Sequence, residues 1–210
     1  MVKVACRLAL LMLLGSSLVS CGGSRSSDTA SYVATILAER RAKDDAFGTA
    51  ADSPVPADQR GTLLPLSYFP PDDSYVVPAA LRPADQDTQR AIEMPTSTGQ
   101  RRVMQRVGTL EFVLKGRPLH LSAFVEADSP DANRLFVPFT DLTTGTETYA
   151  AGRYLDLKRT ATGVYTIDFN KAYEPYCAYN ATYDCPYPPA ENRLPVPIRA
   201  GEKLAAPGRH

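Results

Sequence analysis

The chain has 210 residues, with 23 Lys and Arg against 23 Asp and Glu, so its formal charge is zero. That balance argues against a nucleic-acid binder held by phosphate contacts. Apolar residues at 44% and charged residues at 22% exclude a wholly disordered chain and a polytopic membrane protein. All 18 prolines lie at or beyond Pro54, so the body is broken into short segments rather than long helices.

Residues 1–20 read as a targeting segment. Lys3 and Arg7 supply a positive start, and Leu8 to Val19 an apolar stretch of signal-peptide length. It is too short and too interrupted for a membrane-spanning helix. It ends in Leu18-Val19-Ser20-Cys21, which resembles a bacterial lipobox. The alternative is an ordinary secretory signal with a chance cysteine. On the lipobox reading Cys21 is acylated, and two or three chains anchor a protein stably where one is marginal. The partner is then a lipid bilayer, and the protein is extracytoplasmic and lipid-anchored in a bacterial envelope. Gly22 stands where an Asp favours inner-membrane retention in enteric-type bacteria, so inner and outer membranes both fit. Residues 21–30 are small and polar and read as a flexible tether with a reach of roughly 15–20 Å.

A single domain is expected over 31–202, with a short tail at 203–210. Ser31 to Phe47 is the best helix: Tyr32, Val33, Ile36, Leu37 and Phe47 share one arc, and charged residues mark the remainder. Thr49 to Pro95 is Pro- and Asp-rich and reads as a wrapping loop with apolar anchors. Its one short strand, Ser74 to Val77, is expected to stop at Pro78. From Arg102 the period becomes two. Leu110, Phe112 and Leu114, a turn at Lys115-Gly116, then Leu119, Leu121 and Ala123 predict a hairpin. Further strands are expected over Arg134–Phe139, Thr148–Leu157, Val164–Phe169 and, at an edge, the proline-alternating Leu194–Ile198. The fold class is therefore mainly β (α+β): an antiparallel β-sandwich or partly open barrel with an N-terminal helix packed on it.

Cys177 and Cys185, with seven residues between them, remain once Cys6 and Cys21 are set aside. In an oxidising compartment such a pair reads as a disulfide worth roughly 2–3 kcal/mol. A zinc site is the weaker alternative, because His120 and His210 are the only imidazoles and zinc wants four ligands. A redox centre is weaker still, for the spacing is not C-x-x-C. No metal and no cofactor is expected.

Asp168 to Gly201 carries the densest chemistry. Tyr173, Tyr176, Tyr179, Tyr183 and Tyr187 crowd together, with Asn170 and Asn192 among them. Tyrosine offers a flat face and a polar handle, which suits sugars or aromatic ligands. Tyr173, Tyr176, Tyr179, Asn170 and Asn192 are the candidate ligand-binding residues. The competing reading is that the rings pack the loop and the Asn and Asp side chains make its turns.

This region also resembles a known family. The runs Gly152-Arg153-Tyr154-Leu155, Asp168-Phe169-Asn170, Pro175-Tyr176-Cys177-Ala178-Tyr179, Glu191-Asn192-Arg193-Leu194 and Ala200-Gly201-Glu202 are similar to the family catalogued as domain of unknown function 1684. Ser53-Pro54 and Tyr68-Phe69-Pro70 match its opening. The resemblance spans about Ser31 to Glu202 and implies a compact, mostly β domain with an N-terminal helix. It supplies no catalytic assignment.

No nucleophile elbow, zincin motif, P-loop or dinucleotide-binding glycine run is present. His120 lies on the face opposite Leu119 and Leu121 and reads as a surface residue. The leading expectation is thus an envelope lipoprotein whose Tyr-rich loop binds a small molecule or an envelope protein, and no nucleic acid. The alternative is a hydrolase using Arg153, Asp168 and Glu191, which requires those three side chains to meet.

Overall fold

The computed structural model describes residues 24–85, 91–127, 131 and 133–205. The expected signal segment, the expected lipidation site Cys21 and the last residues of the tail lie outside the described residues. Helix α1 covers Ser24–Thr49 and α2 covers Arg60–Leu63. Seven strands follow: β1 (Val76–Pro83), β2 (Ala91–Pro95), β3 (Arg101–Leu114), β4 (Arg117–Glu126), β5 (Arg134–Phe139), β6 (Arg153–Lys158) and β7 (Val164–Asp168). All pair antiparallel in the order β6-β5-β4-β3-β1-β7, with β2 on the first half of β3. Consecutive strands β6 and β7 stand at opposite ends of that order, so the sheet curls until it nearly closes into a barrel. Tyr173 then bridges back to Tyr154 of β6.

The hairpin forms as the alternation predicts. Leu110 lies opposite Leu121 and Phe112 opposite Leu119, all buried. Lys115 and Gly116 both have positive φ, 49° and 78°, the pair of left-handed residues that a two-residue turn needs to follow strand twist. His120 is exposed. The core lies inside the barrel, where Leu135, Val137, Leu155, Ile167 and Phe169 meet the hairpin's apolar face.

Strand β3 changes partners halfway. Its first part pairs β2 and its second pairs β1, with an irregularity between Arg106 and Gly108. Gly108 is required there, since a Cβ would stand 2.3 Å from the Arg82 carbonyl oxygen. The extra residue also reverses the alternation. Leu110 and Phe112 face the barrel core, while Met104 joins Met94 and Phe124 in a second small cluster.

Four expectations are corrected. The region 49–95 is not only wrapping loop, because β1 and β2 lie within it. Pro78 does not stop its strand: pairing of β1 with β3 begins at Ala79, so Pro78 sits where β1 has β7 alone as neighbour and one side needs no donor. Thr148 makes only an isolated bridge to Thr144, a turn follows at 150–151, and β6 starts only at Arg153. Leu194 to Ile198 forms no strand, although Leu194 and Ile198 are buried. Pro195 and Pro197 remove the donors a ladder needs, and the carbonyls beyond them turn to a buried guanidinium instead.

Helix α1 begins at Ser24, so its first turns occupy the expected tether, and Thr29 Oγ1 ties it to Asp73 at 2.7 Å. Its docking face is the row Tyr32, Ile36, Arg40, Lys43 and Phe47, at helical spacing. Tyr32 bonds Asp168 at 2.8 Å, Arg40 bonds the Phe69 carbonyl at 2.9 Å, and Lys43 bonds Glu202. Leu37, assigned to the apolar arc, is instead exposed. The face is half polar because it meets carbonyls and carboxylates at the barrel's end.

Candidate ligand-binding cleft

Outside the barrel, the outward-pointing residues of β3 to β6 form one wall of a cleft of about 830 Å³. Period-two alternation puts Leu135, Val137 and Leu155 inside and Arg134, Phe136, Tyr154 and Asp156 outside. Phe136 and Tyr154 meet edge to face at 4.7 Å, and Tyr154 and Tyr173 at 5.8 Å, giving a first row of three rings. The C-terminal loop and the end of α1 supply a second row. Phe47 meets Tyr176 at 6.0 Å and Tyr176 meets Tyr183 at 5.3 Å. The Lys43 ammonium joins the rows, 5.0 Å from the Phe47 ring centre and 5.3 Å from that of Tyr173.

Ion pairs edge these rings. Arg134 Nε lies 2.8 Å from Asp156, whose other oxygen accepts the Tyr173 hydroxyl at 2.8 Å. Arg102 reaches Glu126 at 3.3 Å and donates to the Asp184 carbonyl at 2.8 Å. Burial, and then the Asp156 charge, push the Tyr173 phenol far above its ordinary range, and burial does the same for Tyr154. Both stay neutral donors at any physiological pH. The Tyr154 hydroxyl is spent on the Pro186 carbonyl at 2.5 Å.

Beneath the Lys43 end lies a carboxylate pair that the sequence reading passed over. Glu202 Oε1 holds the Lys43 ammonium, while Oε2 accepts the Glu174 N–H at 2.8 Å and the Tyr179 hydroxyl at 2.5 Å. Glu174 is buried, with the Tyr149 N–H on its Oε1 at 3.0 Å. Burial, then the neighbouring Glu202 charge, raises the Glu174 carboxyl to about 7. Glu202 stands in the Ala200-Gly201-Glu202 run that carried the resemblance, which was the available signal. Nothing in the sequence tied it to Lys43.

The candidate residues separate into two groups. Tyr173 and Tyr176 line the cleft, together with Tyr183. Tyr179 does not; it is buried against Phe47, Val55 and Leu66. Asn170 is buried and braces the chain, exchanging bonds with the Asp72 backbone at 2.9 and 2.8 Å. Asn192, fully buried, is wedged between β4 and β5. Its Oδ1 accepts the Ser122 N–H at 2.7 Å, and its Nδ2 donates to the Ser122 and Pro138 carbonyls at 2.9 and 2.7 Å. Those strands share a single paired position, Phe124 with Phe136, so this amide stands in for missing ladder bonds.

Arg153, Asp168 and Glu191 are each held by a different partner. Arg153 is buried against Asp141 at 2.9 Å and donates to the carbonyls of Ile198, Ala200 and Glu202. Asp168 accepts Tyr32 and the Asn170 N–H, and Glu191 pairs with Arg106 at the surface. The expected Cys177–Cys185 disulfide is also corrected: both cysteines are free and buried, with the Cys177 N–H on Cys185 Sγ at 3.2 Å. Spacing brings the thiols together, and this short loop is closed by hydrogen bonds instead of a covalent bond. Contact between the two thiols holds the Cys177 thiol below its ordinary range and, with burial, pushes that of Cys185 above it. Among the described residues, no three of His, Cys, Asp and Glu are placed to hold a metal.

No curated protein matches the chain. A solved structure does: the solution NMR structure of the uncharacterised protein from gene locus rrnAC0354 of Haloarcula marismortui. It is 37% identical, with a TM-score of 0.65, covering 85% of this chain and 97% of that one. A family model matches residues 63–203, which takes in most of the cleft but not Lys43 and Phe47 of α1. The chain belongs to the family described as protein of unknown function, DUF1684.

Proposed function

We propose that this chain is a bacterial envelope lipoprotein, anchored through acylated Cys21, whose domain binds a small ring-bearing molecule in the cleft. The observation that carries the binding role is the two rows of three rings lining one space of about 830 Å³, within the usual range for small-molecule sites. The anchor rests on the apolar stretch and the Leu18-Val19-Ser20-Cys21 run. A hydrolase built on Arg153, Asp168 and Glu191 lacks this support, since each of the three is committed to a separate partner.

Two measurements test the reading. Growth with an alkyne-tagged palmitate should label the protein and place it in the membrane fraction, and Cys21→Ser should abolish both. Titration of the isotope-labelled protein with a panel of small sugars and aromatic metabolites, followed by NMR, should shift resonances of Tyr173, Tyr176 and Tyr183 first. Shifts scattered over the surface, or none from any compound, would end the binding role.

A further inference from the structure

Resting on the cleft as a binding site, we infer that its ligand is a neutral carbohydrate of about disaccharide size. The charge arrangement decides the class. Every cation of the lining already faces a carboxylate: Arg134 faces Asp156, Arg102 faces Glu126 and Asp184, and Lys43 faces Glu202. An anionic ligand would have to detach one of these guanidinium or ammonium groups from its partner. A cationic ligand would have to displace one. A quaternary ammonium would further compete with Lys43, whose own charge sits over Phe47 and Tyr173.

A purely aromatic or aliphatic ligand fits the rings but not their surroundings. It would strip water from the ion pairs at the edge and return no hydrogen bonds, a cost that apolar contact must first overcome. A polyhydroxylated ring meets both demands. Its C–H faces lie on the faces of Tyr176, Tyr183 and Phe136, and its equatorial hydroxyls reach the unused lone pairs of the carboxylates and the remaining N–H groups of Arg102 and Arg134. The ion pairs stay intact, so nothing charged is desolvated alone.

Calorimetric titration of the purified protein distinguishes these cases. The probes are cellobiose and N,N′-diacetylchitobiose as neutral sugars, AMP as an anionic aromatic, and tetramethylammonium as a cation. At least one of the two sugars should bind, with an affinity that changes less than about twofold between 50 and 500 mM salt, because no net charge is exchanged. Tyr176→Ala and Tyr183→Ala should each weaken that sugar at least fivefold. Both rings are partly exposed, so their truncation empties no core. Tyr187→Ala, in the same loop but outside this cleft, should leave binding unchanged. Binding of AMP or tetramethylammonium that Tyr176→Ala removes, with both sugars silent, overturns the carbohydrate class and keeps the cleft as a binding site. Sugar binding that is indifferent to both tyrosine variants, or silence from all four probes, overturns the class and the cleft together.

Discussion

Two irregular stretches of the C-terminal region each carry candidate binding residues and have opposite roles. Residues 190–202 turn their polar groups inward, where Asn192 and Arg153 satisfy carbonyls that no ladder reaches. Residues 173–186 bury Tyr179 but turn other rings outward, with Tyr176 and Tyr183 left partly exposed beside paired charges. Burial therefore separates these candidates better than residue type does. A buried Asn or Arg that spends its bonds on the backbone around it is a brace. A half-exposed ring above an intact ion pair has surface to offer.

That contrast breaks most sharply at Arg153. Replacing it with Met leaves Asp141 buried without its charge partner and leaves three carbonyls without a donor. Loss of one member of a buried pair costs about 3–5 kcal/mol, and the stranded acceptors add to it. Urea unfolding should show a loss at the top of this range or no folded protein. A loss below about 1 kcal/mol would mean that the carbonyls find other partners. Asn192→Ala comes next. It frees one buried N–H and two carbonyls between β4 and β5, for an expected loss of about 3 kcal/mol. Amide exchange should rise first at Ser122 and along β5, and protection there equal to wild type would remove the bridging role.

What the sequence shows and hides follows the same division. The hairpin was legible because Leu110, Phe112, Leu119 and Leu121 obey one period and Lys115-Gly116 suits its turn. The tyrosine-dense segment was legible as a source of rings because its five tyrosines crowd into one short run, and Tyr173, Tyr176 and Tyr183 line the cleft. The helix face was not, because Arg40 and Lys43 dock among apolar residues to reach oxygens supplied by residues 29 and 159 positions away. Nor was the first row of rings. Phe136 and Tyr154 lie on the outward face of strands, where alternation alone predicts polar residues, and only the arching C-terminal loop turns that face into a wall. Asn192 looked like a ligand-binding amide because the gap it fills is a property of two strands that fail to pair.

Glu174 sharpens the comparison through pH. Its carboxyl titrates near 7 in the folded chain against an ordinary 4.5, so the folded state holds the extra proton between those values. The stability this confers is fully present below 4.5 and is lost as pH rises through 7. Glu174→Gln keeps the acceptor for the Tyr149 N–H and removes the titration. The variant should gain on wild type by roughly 2–3 kcal/mol between pH 4.5 and 8, read from denaturation midpoints across that window. Parallel profiles for the two proteins would mean that Glu174 is already ionised beside Glu202.

The smallest effect on stability belongs to the opposite pole of the contrast. Tyr176 is 42% exposed, and its ring makes edge contacts with Phe47 and Tyr183 at 6.0 and 5.3 Å. Truncation to Ala forfeits those edge contacts and a partly wet surface, about 1 kcal/mol or less. The midpoint of thermal unfolding should therefore fall by only a few degrees. A brace and a binding surface then diverge in one experiment: Asn192→Ala should lose stability out of proportion to any change in ligand affinity, and Tyr176→Ala should lose affinity with little change in stability. If Tyr176→Ala proves as damaging to the fold as Asn192→Ala, its ring is packing for the loop, and the second row of the cleft has no surface to give to a ligand.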